Sequence, residues 1–179
     1  MIEKAFLFAY HAHDGQKRKD GKPYIVHPGE VAMELARNGA SEELICAGFL
    51  HDTIEDAEIT REQLEKAFTP YVAELVAEDS EDKEKSWEER KLAALDDLRQ
   101  GSRDHQMLMC ADKLANLRGI HTGLAEEGDA VWNRFKRGRE KQAWLFRETV
   151  GALSPLAGLP MYEELKQLTD EIFPSSREA

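Results

Sequence analysis

The stretch of this chain best equipped for chemistry is Leu50-His51-Asp52-Thr53-Ile54-Glu55-Asp56, directly after the apolar run Leu44 to Leu50. On a helix, positions 51, 52, 55 and 56 stand as i, i+1, i+4 and i+5 and share one face. Four ionisable groups on one stripe make a poor buried surface but a good setting for a divalent cation. The adjacent His51-Asp52 pair offers one nitrogen and one oxygen, which suits a metal that takes mixed imidazole and carboxylate ligands. The competing reading is a solvated helix end with a capping histidine. Two other segments weigh against it. His27 lies 24 residues upstream, framed by Pro23-Tyr24-Ile25-Val26 and Pro28. Asp112 lies 60 residues beyond Asp52, where it interrupts the apolar face of Met109 to Leu117. A buried carboxylate is costly without a cation, so Asp112 calls for a metal or for Lys113 or Arg118. Asn116 is one turn further along and points at the same cavity.

The elements that must position these residues are helices, because helical periodicity dominates and strand alternation is nearly absent. The spacing predicts a first helix over Ile2 to His13, ended by Asp14-Gly15, then a basic loop with Lys17, Arg18, Lys19 and Lys22. Tyr24-Ile25-Val26 reads as extended, with Pro28 in the first turn of a second helix and His27 at its mouth. That helix ends near Asn38-Gly39. Ser41 caps a third helix through His51, and Thr60-Arg61-Glu62-Gln63 has the form of a capping box. Further helices are expected at 70–79, 85–100, 104–120, 127–150 and 160–172. No repeat or linker divides the chain. The fold expected over 1–179 is a single all-α domain, with its motifs in 18–118 and packing helices over 127–172.

The 179 residues suffice for one hydrophobic core. Lys and Arg total 24 against 35 Asp and Glu, for a net charge of −11 and a pI near 5.1. Such a surface disfavours nucleic acid and anionic lipid. A polyanionic small molecule remains open, since a metal or a local basic patch reverses the field at one place. Cys46 and Cys110 sit alone in apolar stretches, without zinc-finger spacing. Two free thiols suit a reducing compartment. The N-terminus lacks the features of a signal peptide, and no apolar run is long enough to span a membrane. The expected location is cytoplasmic.

His27, His51-Asp52 and Asp112, in that order, resemble the H…HD…D signature of the HD-domain phosphohydrolases. Arg18-Lys19-Asp20-Gly21-Lys22-Pro23-Tyr24-Ile25-Val26-His27-Pro28 is similar to the RKxGxPYIxHP segment of the RelA/SpoT group's guanosine 3′,5′-bis(diphosphate) hydrolase domains. His51 to Asp56 matches that group's HDxxED, and Ala111 to Arg118 its ADKLxNxR. Glu148-Thr149, Pro155-Leu156-Ala157 and Tyr162-Glu163-Glu164-Leu165 extend the likeness over nearly the whole chain. The length leaves no room for the synthetase and regulatory domains of the long enzymes, so the resemblance is to a stand-alone small alarmone hydrolase.

The resemblance implies that His27, His51, Asp52 and Asp112 bind one Mn²⁺. It implies a reaction in which water attacks the phosphorus on the ribose 3′ oxygen. Pyrophosphate is then released, with GDP or GTP as co-product. Glu55 and Asp56 are the implied catalytic pair, one serving the water and the other the leaving oxygen. Arg18 and Lys19 are implied contacts to the guanine face and the phosphates. Asn116 and Arg118 are further nucleotide contacts. Adenosine alarmones and NADPH are alternative substrates, and a nucleotide sensor without turnover is the non-catalytic alternative. The Glu55-Asp56 pair disfavours a sensor, because two extra carboxylates repel an anionic ligand.

Other positions carry weaker expectations. His11 and His13 read as surface or helix-end residues, His121 as a helix C-terminal residue, and His105 as a candidate for the cavity entrance. Asp82-Lys83 and Trp87 to Lys91 resemble a family segment beside the site, with Lys91 a candidate phosphate contact. Trp132, Phe135 and Trp144 read as core. Gly119 departs from the long enzymes, which carry a hydroxyl-bearing residue there.

Overall fold

The computed structural model describes residues 1–78 and 85–174. Ten α-helices follow one another among them: α1 (Ile2–Ala12), α2 (Val26–Arg37), α3 (Glu42–Leu50), α4 (Thr53–Asp56), α5 (Arg61–Ala67), α6 (Pro70–Ala77), α7 (Trp87–Gln100), α8 (Arg103–Glu127), α9 (Gly138–Ala152) and α10 (Pro160–Ile172). No β-strand occurs among the described residues, which hold one isolated bridge between Lys17 and Pro23. No described helix is long and apolar enough to cross a membrane.

The starts of these helices are written in their caps. Ser41 Oγ accepts from the Leu44 N–H, and Thr69 Oγ1 accepts from Val72 before Pro70. Thr60 with Gln63, and Ser86 with Glu89, close reciprocal capping boxes that satisfy otherwise orphaned N–H groups. α10 opens at Pro160, where the missing N–H costs nothing.

Three boundaries differ from expectation. Tyr24-Ile25 is a turn rather than extended, because Val26 and His27 donate back to the Pro23 and Tyr24 carbonyls and no neighbouring strand competes for them. α8 runs to Glu127, so His121 lies inside it and faces Glu171 rather than sitting at its end. Gly128, at φ +60, ends α8, and a 3₁₀ segment over Gly128–Arg134 replaces the start of the helix expected at 127–150. Asp82-Lys83 lies outside the described residues.

α8 is the axis of the fold and packs against α2, α3, α7 and α10. Leu108, Leu114 and Leu117 on α8 are fully buried with Leu35, Leu50 and Leu165 from its neighbours. Cys46 and Cys110 are free and buried, and burial, followed by the charge of Glu34, pushes the Cys110 thiol up to about 12. Trp132 and Phe146 close the far end around Phe173, at ring separations of 5.5 and 5.9 Å. Trp144 lies against Trp87. The packing of α2, α3 and α8 on one another sets the site.

Candidate metal centre and adjoining cavity

Each of those three helices delivers one part of a buried polar cluster. α2 presents His27 from its second residue, α3 ends at Leu50 with His51 as its C-cap, and α8 carries Asp112 at mid-length. His27 and His51 are each 2% exposed and Asp112 is 5% exposed. One ligand atom from each of the three lies within 4.8 Å of the others. His27 Nε2 is 3.0 Å from Asp112 Oδ1, and His51 Nε2 is 3.0 Å from Asp52 Oδ2. The two cross distances are 3.6 Å, His27 to Asp52, and 3.7 Å, His51 to Asp112.

The donor set fits a divalent cation. His51 Nδ1 lies 3.0 Å from the Gly48 carbonyl, which can only accept, so Nδ1 carries a proton and Nε2 is the ring atom left to face the cluster and, once deprotonated, to bind a cation. That Nε2 atom is buried without a hydrogen-bond partner. Two imidazoles and two carboxylates, with no thiolate, are a common donor set for such ions. Charge points the same way. Burial opposes ionisation of Asp112, yet Lys113, His27 and His51 more than offset it and hold the carboxyl well below the usual range. Asp52 is likewise lowered, with burial outweighed chiefly by His51. Burial works against a charge on His51, but Asp52 and Asp112 outweigh it and raise its pKa well above the ordinary value. Two buried anions here demand a cation.

The third helix, expected through His51, ends one residue earlier, and the stretch from His51 to Asp56 is not one regular helix. α3 stops at Leu50, whose carbonyl accepts from Thr53 Oγ1 at 2.7 Å, and α4 is a separate four-residue turn. The Asp56 N–H still donates to the Asp52 carbonyl at 2.8 Å, which keeps the i, i+4 relation of these two residues. Asp56 is exposed at the rim, and Glu55 is half-buried beside it on α4.

A cavity of about 520 Å³ adjoins the cluster, large enough for a nucleotide. Six cationic side chains line it, Lys17, Arg18, Lys19, Lys91, Lys113 and Arg134, against the two carboxylates Asp20 and Asp56. The basic loop is preformed. Arg18 N–H donates to the Lys22 carbonyl and Gly21 N–H to the Arg18 carbonyl, with Gly21 at φ +86, a conformation that glycine adopts without strain. Lys22 turns away and pairs with Asp20 at 3.2 Å. Lys19 Nζ sits 4.4 Å from the centre of the Phe135 ring, and burial, then the charges of Arg18 and Lys136, lowers its pKa.

Arg18 Nη2 donates to Asn116 Oδ1 at 2.9 Å, and Asn116 Nδ2 donates to Asp112 Oδ1 at 2.7 Å. This chain of bonds joins the cavity wall to the buried cluster. Arg118 does not join it. Its guanidinium donates to Glu164 and Glu34, and it does not line the cavity.

His105 is buried with Nδ1 3.5 Å from Glu78 and does not line the cavity either. Phe135, read as core, lines it, as does Gly119, where an added Cβ would meet nothing within 4 Å. Arg134 was not legible in advance, because only the 3₁₀ turn after α8 brings it to the wall. His13, expected at a helix end, is indeed the C-cap of α1, but it is buried and stacks on Tyr24.

The HD domain family model matches residues 5–142. A protein of Synechocystis named "Probable guanosine-3′,5′-bis(diphosphate) 3′-pyrophosphohydrolase" is 35% identical over 168 residues, covering 88% of this chain and 20% of that protein. A guanosine-3′,5′-bis(diphosphate) 3′-pyrophosphohydrolase of Aquifex aeolicus is 48% identical over 75 residues, 42% of this chain and 11% of its own length. The chain thus spans about a fifth or less of these curated relatives. Among solved structures, a Listeria monocytogenes protein superposes with a TM-score of 0.79 at 38% identity, covering 83% of this chain and 99% of its own. A metazoan ortholog of SpoT, described as hydrolysing ppGpp, superposes with a TM-score of 0.75 at 28% identity, covering 96% and 93%.

Proposed function

The chain belongs to the HD-domain family, and from that premise we propose that it hydrolyses the 3′-pyrophosphate of guanosine 3′,5′-bis(diphosphate) and of the corresponding pentaphosphate. The observation that carries this reading is the junction of two features: a buried cluster of His27, His51 and Asp112, with Asp52 at its edge, and a cation-lined cavity of nucleotide size that opens beside it. The names of the curated relatives and of the metazoan structural neighbour support the choice of substrate.

In this reading His27, His51, Asp52 and Asp112 hold one divalent ion, and the thiolate-free donor set supports Mn²⁺. Such an ion, when bound, supplies Lewis acidity toward a phosphate oxygen and lowers the pKa of water. The protein does the rest. Arg18 offers a flat cation for a base to stack on, and Lys17 and Lys19 serve as point charges for phosphates. Asn116, fixed between Arg18 and Asp112, sets the nucleotide pocket at a constant distance from the ion. Glu55 and Asp56 handle protons: one takes the proton of the attacking water, and the other serves the departing ribose O3′. The bond from the ribose O3′ to phosphorus breaks, O3′ gains the proton, and pyrophosphate leaves with GDP or GTP as co-product. The two buried free cysteines support a reducing, cytoplasmic setting.

The test is a panel of ppGpp, ppApp and NADPH with Mn²⁺, read by product identity. The expected outcome is pyrophosphate and GDP from ppGpp. Inorganic phosphate as the product from ppGpp, or turnover of NADPH alone, sinks the reading. Asp56→Asn is expected to keep Mn²⁺ binding and lose about 10²- to 10⁴-fold in kcat, the scale of a lost proton-transfer group. His51→Ala is expected to weaken Mn²⁺ binding itself in a titration.

A further inference from the structure

The carboxylate Asp56 ends a helix that cannot hold it in place. α4 has four residues, and a single turn gains too few hydrogen bonds to fix its own geometry. Asp56 is also exposed, and the carboxylate of Asp52 reaches the same Tyr24 hydroxyl that it does. Two ties from outside the helix hold it. Tyr24 Oη lies 3.0 Å from Asp56 Oδ2, and Gln16 Nε2 donates to the Asp56 carbonyl at 2.8 Å. The same Tyr24 hydroxyl reaches Asp52 Oδ2 at 2.7 Å.

We propose that Tyr24 is a positioning residue of this site: its hydroxyl sets the carboxylate of Asp56 in register with Asp52 at the metal centre, and His13 and Gln16 hold the phenol there. The proposal rests on the hydrolase reading above and deepens it.

The phenol suits the task. Its one proton is shared between the two carboxylates, closer to Asp52 at 2.7 Å than to Asp56 at 3.0 Å, so it links them without adding a charge that would compete with a metal. The ring is held from behind. The His13 ring lies 4.7 Å from that of Tyr24 at an interplanar angle of 30°. His13 is itself buried, at 3% exposed, with Nδ1 2.9 Å from Gln16 Oε1. The Gln16 amide oxygen thus accepts from His13 while its nitrogen donates to Asp56, and the Tyr24 N–H donates to the Gln16 carbonyl at 3.0 Å. The end of α1, the basic loop and α4 form one closed circuit. Lys17 to Lys19 follow Gln16 directly, so phosphates seated on the loop and the carboxylate of Asp56 share one support.

Tyr24→Phe removes one oxygen and keeps the ring stack. At saturating Mn²⁺ it is expected to lower kcat about 10- to 100-fold, the range seen when a group that orients a metal-site residue is lost. KM is expected to stay within about threefold, because the phenol acts on Asp56 rather than on substrate. Titration with Mn²⁺ followed by electron paramagnetic resonance is expected to show weaker binding through Asp52, with the melting temperature of the metal-free protein unchanged. A merely structural tyrosine would move the melting temperature and leave the kcat-to-KM split untouched. Gln16→Leu removes the second tie and is expected to give a smaller loss of the same kind, which serves if Tyr24→Phe does not fold. Unchanged kcat in Tyr24→Phe, or a loss confined to KM, overturns the proposal. Failure of the wild type to release pyrophosphate from ppGpp overturns the hydrolase reading instead, so the two failures are distinct.

Discussion

Three hydrogen bonds at Arg118 leave little of its guanidinium for a ligand. Nε and Nη2 grip both oxygens of Glu164, with the Nε bond at 2.6 Å, and Nη1 reaches Glu34 Oε2 at 2.8 Å. Glu34 is 5% exposed and also accepts from Asn38 Nδ2 at 3.0 Å, with Arg37 at 3.7 Å. A bidentate pair of this kind fixes geometry as well as charge, and here it ties α8 to α2 and α10. Arg118→Met is therefore expected to leave Glu34 without its nearest cation, with Asn38 and the more distant Arg37 as its partners. Losing one partner of a fully buried pair costs about 3–5 kcal/mol, and a partly exposed arginine reduces that to about 2. Thermal unfolding should fall accordingly while KM for ppGpp holds within about twofold. A KM that rises tenfold with unchanged stability would return Arg118 to the nucleotide site, where its place in the ADKLxNxR-like motif had put it. Asn116, two residues earlier on α8, points instead at Asp112 and Arg18. Side-chain direction separated these neighbours, and a motif does not encode that direction.

Between helices, the decisive contact is the crossing of α2 and α3, which brings His27 and His51 together. Gly48 permits it. A Cβ there would lie 2.8 Å from Leu35 Cδ1 and 3.1 Å from the Ala32 Cα. The Leu35 side chain can move, but the α2 backbone can yield only by shifting the helix that carries His27. Gly48→Ala gains about 1 kcal/mol of helix propensity and loses about 1–3 kcal/mol to overpacking. The net expectation is a lower melting temperature. Weaker Mn²⁺ binding should accompany it, because the Gly48 carbonyl also holds His51 Nδ1. Stability and metal affinity both unchanged would show that the crossing tolerates a methyl group. Helix starts were legible in advance where a side chain closes them, as at Ser41 and Thr60, or where a proline opens the first turn, as at Pro160. The end of α3 was legible to within one residue, at His51, but the separate turn of α4 was not, because Leu50 to Asp56 has no glycine or proline to mark it. The His51-Asp52 pair was legible all the same, since adjacent ligands stay adjacent whether or not the helix continues. Tyr24 stood inside a quoted motif without a role, because its two carboxylate partners come from a segment 28 and 32 residues away.

Over the whole molecule the charge is −11, yet six cations and two carboxylates line the cavity. Two of those cations have work inside the protein, Lys113 with Asp112 and Arg134 with Glu127. Lys17 and Lys19 are exposed at the mouth and are the charges an approaching nucleotide meets. A small anion needs only that mouth, whereas a long duplex would extend its phosphates over a body whose net charge is −11. The protein is therefore expected not to retain double-stranded DNA at ionic strengths where ppGpp binds. Salt tests the steering directly. The Debye length falls from about 10 Å at 0.1 M to about 3 Å at 1 M, which screens exposed lysines while sparing the buried cluster. KM for ppGpp should accordingly rise several-fold between about 0.05 and 0.5 M salt, with kcat at saturating Mn²⁺ held nearly constant. Replacing Lys17 and Lys19 together by glutamine should raise KM at low salt and flatten this dependence. If the doubly substituted protein kept the wild-type slope, attraction would have to come from the ion and the inner wall. The exposed loop would then be a solvated surface, and the acidic body alone would account for the rejection of polymers.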